Sequence, residues 1–307
     1  MGIKNIALLL IKWLANTPLS NLILSAVPNN KIIDVESSFS CIKKYKYLFL
    51  CKLARFNQSG VMIVRSVFYN HGGENLYKMD LDINEFTQCS YYFSALDIEL
   101  LRLLKKGGGT FIDIGANVGF YTLAAAKTFD KVYSFEPSPY TYGRLIHNIE
   151  LNKLSSVITI NSGLSDVKSE MDLHINPFNN GGSSLNGFSE TIKRLYPEYA
   201  WGSVRVKVDL LDEVVNSRGI FGVDLIKIDV EGHELPVIKG AQNTLATYRP
   251  LVYAEVVKDR NKLNAISAVL PDGYIPYSLA EKKVIIEDSI VPDDVLFCPV
   301  EKLGLMT

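Results

Sequence analysis

From about residue 90 onward the chain alternates short, almost continuously apolar runs with longer stretches of helical character, and this alternation restricts the fold more than any other feature. The runs are GTFIDIG at 109–115, KVYSFE at 131–136, VITIN at 157–161, VDLIKID at 223–229 and PLVYAEV at 250–256. A strand that is apolar throughout is covered on both faces, as in a parallel sheet wrapped by helices. Helices are expected between the runs, from Asn117 to Thr128, Ser138 to Asn152 with Pro139 at the first helical position, Gly232 to Tyr248, and Asn261 to Leu270. Two further strands, YIPYSLA and VLFCPVE, follow without an intervening helix and are expected to pair antiparallel. The fold class is α/β: a Rossmann-like open sheet, mostly parallel, with an antiparallel last strand and a small N-terminal extension.

The domain so defined covers residues 91–307, entered through a helix in SALDIELLRLL. Residues 28–90 form a small β-containing extension around SGVMIVRSVFYN and NLYKMDLDI. Residues 1–27 are apolar, with Lys4 and Lys12 as the only charges. A spanning helix needs roughly 20 uninterrupted apolar residues, and Lys12 with the Asn16-Thr17-Pro18 break leaves only short runs. Lys4, Asn5, Lys12 and Asn16 share one side of a helical wheel, a pattern that suits either a membrane surface or a helix packed on its own protein.

Charge and cysteine usage remove several function classes. The formal net charge of -1 over 307 residues comes from interspersed signs, so the basic stripe that nucleic acid requires is missing. Cys41, Cys51, Cys89 and Cys298 are scattered, with neither zinc-ligand spacing nor a disulfide framework. A reducing, cytoplasmic location is expected, with peripheral contact at the inner membrane surface through residues 1–27 as an option.

The first strand runs into Gly115-Ala-Asn-Val-Gly119. A dinucleotide fingerprint wants glycine where Asn117 and Phe120 stand, so the pyrophosphate reading is weak. S-adenosylmethionine, which has no phosphate, asks only for a tight turn and a helix start. Gly115 and Gly119 supply the turn, Asp113 can accept from the methionyl ammonium, and Asn117 can hydrogen-bond or cap the helix. Glu136 ends the next strand, 23 positions after Asp113, where a carboxylate can accept both ribose hydroxyls. The adenine is then expected near Ser162, Gly163 and Leu164.

FIDIGANVGFYTLAAA, VYSFEPSP, GLSD, GGSSL, VDLLDEV and, above all, IKIDVEGHE followed by KGA and RPLVYAE resemble the FkbM family of S-adenosylmethionine-dependent methyltransferases, from about residue 76 to 300. The resemblance implies a class I methyltransferase fold and O-methylation of a hydroxyl on a sugar, glycan, glycolipid or secondary metabolite, with a small-molecule, glycan or glycolipid acceptor as partner. It also implies cofactor binding by Asp113, Gly115, Asn117, Gly119 and Glu136, beside Gly163 from the adenine position above, and places Asp229, Glu231 and His233 at the catalytic mouth.

The residues themselves leave the base open. His233 titrates near neutrality, while Asp229 or Glu231 can equally take the proton or orient the acceptor. Glu231 and Glu234 can instead serve the dipole of the following helix. A magnesium site at Asp229, Glu231 and Glu255 is the metal-assisted alternative, and metal independence, with no metal ligands, is the favoured expectation. The Asn-, Gly- and Ser-rich segment from Asn176 to Glu190 reads as a lid, an acceptor loop or a surface insertion. Tyr196, Tyr199 and Trp201 after it can stack on a sugar or pack on the core. A non-catalytic module of the same fold is the rival from another class, and a nicotinamide-dependent oxidoreductase is a second.

Overall fold

The structure, a computed structural model, describes residues 33–35, 63–69, 75–82, 100, 103, 108–177, 180–195 and 201–306. The amphipathic segment 1–27, Cys41, Cys51, Cys89, Tyr196 and Tyr199 lie outside the described residues. The chain divides into two compact units, residues 1–96 with 178–181, and residues 97–177 with 182–307. In the first, β1 (Ile33–Val35) runs parallel to β2 (Ile63–Tyr69), which pairs antiparallel with β3 (Asn75–Asp82).

The second unit is built on an eight-stranded sheet. In chain order its elements are β4 (Gly108–Ile114), α1 (Phe120–Ala125), β5 (Phe129–Phe135), α2 (Pro139–Leu151), β6 (Val157–Ile160), β7 (Gly163–Leu164), β8 (Ser169–Ile175) and α3 (Glu190–Leu195). They continue as β9 (Gly202–Asp209), α4 (Leu211–Ser217), β10 (Val223–Ile228), α5 (Glu234–Lys239), α6 (Gln242–Tyr248), β11 (Leu251–Glu255), α7 (Arg260–Val269), β12 (Tyr274–Ser278), β13 (Lys283–Val284) and β14 (Asp294–Pro299). The strand order is β13-β12-β14-β11-β10-β4-β5-β6. Strands β4, β5, β6, β10 and β11 are parallel, and β14 inserts antiparallel between β11 and β12. The two last long strands therefore pair antiparallel as expected. The chain leaves β4 toward β5 and β6, then returns to β10 on the other side of β4, so the order reverses between β4 and β10 and opens a crevice at their carboxyl ends.

Both faces of the sheet are covered, which is why its strands read as continuous apolar runs. Ile112, Ile114, Ile226 and Ile228 enter one core, with Leu211 and Val215 of α4, Val237 and Ile238 of α5 and Leu245 of α6. Phe111 and Leu225 point to the opposite core, with helical Leu100 and Leu103 and Ala125 of α1. That second face also carries Asp113 and Lys227, two positions further along the same strands.

Two helices depart from expectation. The first begins at Phe120 rather than Asn117, because Asn117 (φ 52°) and Gly119 (φ 98°) are left-handed and hold the chain out of helical geometry. The single helix expected from Gly232 to Tyr248 is two, split at Gly240 and Ala241. The Gly240 carbonyl accepts from the Asp212 amide, and the Asp212 carboxylate accepts from the amides of Asn243 and Thr244 at 2.8 Å each. Asp212 thus caps α6 from a different element.

A separate three-stranded sheet has the order β7-β9-β8, in a region where the sequence reading assigned no strands. In β9 the exposed and buried positions alternate, and Arg205 lies 3.4 Å from Asp172 across the antiparallel β8–β9 pair. The neighbouring Asn- and Gly-rich segment is fastened to this sheet, since Ser184 and His174 exchange both backbone hydrogen bonds.

Gly240 has an ordinary φ, yet a Cβ there would stand 2.0 Å from the Ser165 carbonyl oxygen. Gly240→Ala is expected to destabilise by about 1–3 kcal/mol, as other overpacked sites do. The melting temperature should fall by roughly 2–4 °C per kcal/mol. Gly143, in the exposed middle of α2 with nothing within 4 Å, is the contrast, and Gly143→Ala should hold or raise the melting temperature. Equal melting temperatures for the two variants would contradict this account of the packing.

Candidate active site

The carboxyl ends of β4, β5, β10 and β11 gather almost every residue that the sequence singled out. Gly115, immediately after β4, has φ 76°, and a Cβ on it would fall 1.8 Å from the Asp229 carbonyl oxygen. Glycine is therefore required both for the left-handed turn and for the close approach of the backbone leaving β10. Gly119 closes the turn, where a Cβ would meet Leu145 of α2 at 2.7 Å.

The amides of the turn are directed inward. Gly115 and Ala116 both donate to the Phe135 carbonyl, Gly119 donates to Ala116, and Asn117 donates to Glu136 Oε2 at 3.0 Å. Glu136, 7% exposed, also accepts from the Ser138 amide at 2.9 Å through Oε1. One carboxylate thus ties the turn to the start of α2. Burial pushes its pKa up to about 7, against the lowering effect of the two amides.

Asp113 is completely buried. Its Oδ2 accepts from Thr122 of α1 at 2.6 Å, while Oδ1 accepts no hydrogen bond and lies 3.6 Å from the Lys227 ammonium. Burial raises its pKa, and Lys227 and Thr122 pull it back down. Lys227 lies directly opposite Asp113 in the β10–β4 register and is 4% exposed. Its ammonium also lies 3.3 Å from Asp229 Oδ2 and donates to the Gly115 carbonyl at 3.2 Å. The sequence reading passed over Lys227, although a lysine inside an apolar strand was a visible signal.

Beyond β10 the loop from Asp229 to Glu234 is held by buried polar contacts. Glu234, fully buried, accepts from the Gly232 amide at 3.0 Å through Oε1 and pairs with Lys262 at 2.7 Å through Oε2. Ser184 donates to the Glu231 carbonyl at 2.7 Å, and Asn186 Nδ2 donates to the Gly232 carbonyl at 2.8 Å. These bonds hold Glu231 at φ 54° and Gly232 at φ 95°. His233 is 5% exposed, with Nδ1 3.1 Å from Asn186 Oδ1 and Nε2 3.0 Å from Ser165 Oγ. Both ring nitrogens are taken up by these neighbours, and burial favours the neutral ring. His233 therefore faces Ser165 and Asn186, whereas the Asp229 side chain, 38% exposed, stands at the mouth.

Gly163 lies in β7, where a Cβ would meet Val208 at 3.1 Å and Pro137 at 3.6 Å, so it is next to the Glu136 corner. Trp201 packs against Phe188, with ring centroids 5.2 Å apart. Among the described residues no group of three or more His, Cys, Asp or Glu is arranged to hold a metal ion, and no helix is long and apolar enough to cross a membrane.

The carboxylates at the mouth press on one another. Partial desolvation, Asp229 and Glu234 raise Glu231, which is exposed at the rim, to about 7, and burial, Asp229, Glu231 and Glu234 raise the half-buried Glu255 to about 8. With folded-state values above the ordinary 4.5, this contribution to stability is present at low pH and is lost as pH rises through about 7 to 8. His233 acts oppositely, but only below its ordinary 6.5. Between pH 6.5 and 8.5 the ligand-free melting temperature should therefore fall, and Glu255→Gln should flatten the slope. A wild-type profile that is flat or rising over that range, measured by scanning calorimetry, would contradict the charge crowding.

Comparison with known proteins agrees with this geometry. Residues 113–273, just over half of the chain, match the Methyltransferase FkbM domain. The chain is 33% identical over 152 residues to Methyltransferase sdnD of Sordaria araneosa, covering 42% of this chain and 59% of that protein. It is 32% identical over 133 residues to Hexuronic acid methyltransferase AglP of Haloferax volcanii, covering 43% and 50%. It is 29% identical over 188 residues to 2-O-methyltransferase NoeI of Sinorhizobium fredii, covering 56% and 75%. The match thus spans between half and three-fifths of the length of the first two relatives. With the FkbM match running from Asp113 at the end of β4 through the IKIDVEGHE segment and beyond, the chain belongs to the FkbM family of S-adenosylmethionine-dependent methyltransferases.

Proposed function

We propose that the protein transfers a methyl group from S-adenosylmethionine to a hydroxyl of a sugar, glycan, glycolipid or secondary metabolite, at the carboxyl edge between β4 and β10. The observation that carries this reading is the balance of donors and acceptors at the turn. The amides of Gly115, Ala116, Asn117 and Gly119 are engaged within the protein, whereas a pyrophosphate cradle directs such amides at its ligand. What the edge offers instead is acceptors.

The residues fit a nucleoside with a cationic tail. Each Glu136 oxygen takes one amide and keeps lone-pair capacity for a ribose hydroxyl. Two carboxylates, Asp113 and Asp229, face the single ammonium of Lys227, an excess of negative charge that suits an ammonium or sulfonium. When bound, S-adenosylmethionine supplies an electrophilic methyl group, so the chain has only to align an oxygen and take its proton.

Asp229, half-buried at the mouth where the sulfonium and the acceptor would meet, is assigned to both the cationic end of the cofactor and the acceptor hydroxyl. Glu231, with its pKa near 7, is the alternative base. His233 has both ring nitrogens engaged and serves to hold the loop that carries Glu231. A sugar-like acceptor is supported by one relative described as a hexuronic acid methyltransferase and another as a 2-O-methyltransferase. Contact of residues 1–27 with a membrane surface would suit a lipid-linked acceptor.

Calorimetric titration with S-adenosylhomocysteine tests the cofactor site. Wild type should bind, and Glu136→Ala should weaken binding by about 10-fold or more, the loss of a charge-assisted hydrogen bond. Radiolabelled methyl transfer to a panel of uronic acids, neutral glycans and polyketide alcohols then tests the acceptor class. A protein that binds no S-adenosylhomocysteine would instead support the non-catalytic module.

A further inference from the structure

Lys227 makes contacts that the proposed chemistry does not itself require. The register places it opposite Asp113 on β4 and opposite Tyr253 on β11, in the middle of the sheet. Burying an ammonium is costly unless it is paired, and Asp113 supplies the partner. Replacing such a buried pair by apolar residues is often neutral for stability, so pairing alone does not explain the arrangement. The ammonium also bonds the Gly115 carbonyl at 3.2 Å and lies 3.3 Å from Asp229, whose carboxylate is the half-exposed member of the group. One cation therefore touches the buried carboxylate, the turn and the carboxylate at the mouth. Glu136, by contrast, reaches the turn from the other side through the Asn117 amide.

This inference rests on the cofactor reading above. We propose that Lys227 is a positioning residue, whose ammonium, anchored on Asp113 and the Gly115 carbonyl, sets the Asp229 carboxylate to receive the cationic methionyl end of the cofactor. The nucleoside end is held by Glu136 and does not depend on Lys227. Substitution of Lys227 accordingly separates two ligands that a general loosening of the fold would weaken alike: S-adenosylhomocysteine, whose amino-acid tail keeps the ammonium of the cofactor, and adenosine, which lacks that tail.

Lys227→Met alone strands a buried carboxylate, so the comparison is made between Asp113→Asn and the double variant Asp113→Asn/Lys227→Met, by calorimetry with both ligands. Lys227→Gln, which keeps a donor for Gly115 without the charge, provides the same comparison against wild type. The expected result is a loss of about 10-fold or more for S-adenosylhomocysteine with adenosine changed by less than about twofold. In an Asp229→Asn background Lys227→Gln should cost S-adenosylhomocysteine less than about twofold more, because the two residues act as one unit. Equal weakening of both ligands, no weakening of either, or effects of Lys227 and Asp229 that add independently would overturn the positioning role while leaving the cofactor reading intact. A wild-type protein that binds neither ligand overturns both.

Discussion

The Lys227–Asp113 pair is the interaction on which the rest of the site depends. It joins β10 to β4 at the point where the strand order reverses, on the face of the sheet that carries the Phe111 and Leu225 core. Removing one member of such a buried pair typically costs about 3–5 kcal/mol, because the other charge is left without compensation. The pair continues sideways as a polar row, with Asp113 bonded to Thr122 and Thr122 in contact with Ser134 of β5. Three strands and α1 are thereby registered against one another beneath the glycine turn. The turn can then be built from close approaches, including the Asp229 carbonyl where a Gly115 Cβ would stand.

A second set of constraints holds the loop after β10. Consecutive left-handed residues, Glu231 and Gly232, are a strained arrangement that persists only when the surroundings determine it. Ser184 and Asn186 bond the two carbonyls from one side, and Glu234 bonds the Gly232 amide from the other. His233 completes the clamp as a neutral ring between Ser165 and Asn186. The result concentrates Asp229, Glu231 and Glu255 at the ends of two adjacent strands. Desolvation and mutual repulsion raise the proton affinity of both glutamates, the half-buried Glu255 more than the exposed Glu231. The Asn- and Gly-rich segment that reads as a lid is, at Ser184 and Asn186, part of this clamp.

The sheet was legible because burial on both faces leaves a plain record, and five of its parallel strands lie within a residue or two of their expected bounds. The glycine turn was legible for a similar reason: a left-handed backbone in close contact leaves few residue choices. The β8–β9 pair was not, since its alternating charged residues pair across strands distant in sequence, as Arg205 does with Asp172. The break at Gly240 was equally hidden, because its causes, Ser165 and Asp212, lie on other elements. Trp201 carried no sign of its partner, Phe188.

By itself the sequence determined the layered α/β architecture, the position of the turn and the acidic residues that end the strands, because periodicity, glycine and strand-end charge are local properties. Tertiary structure alone decided what those acids are for. Asp113 is sunk beneath the turn, Glu136 is bound to two amides, Asp229 is left half-exposed, and His233 is turned toward Ser165 and Asn186. These differences in partners and burial arise only when strands far apart in the chain meet at one edge.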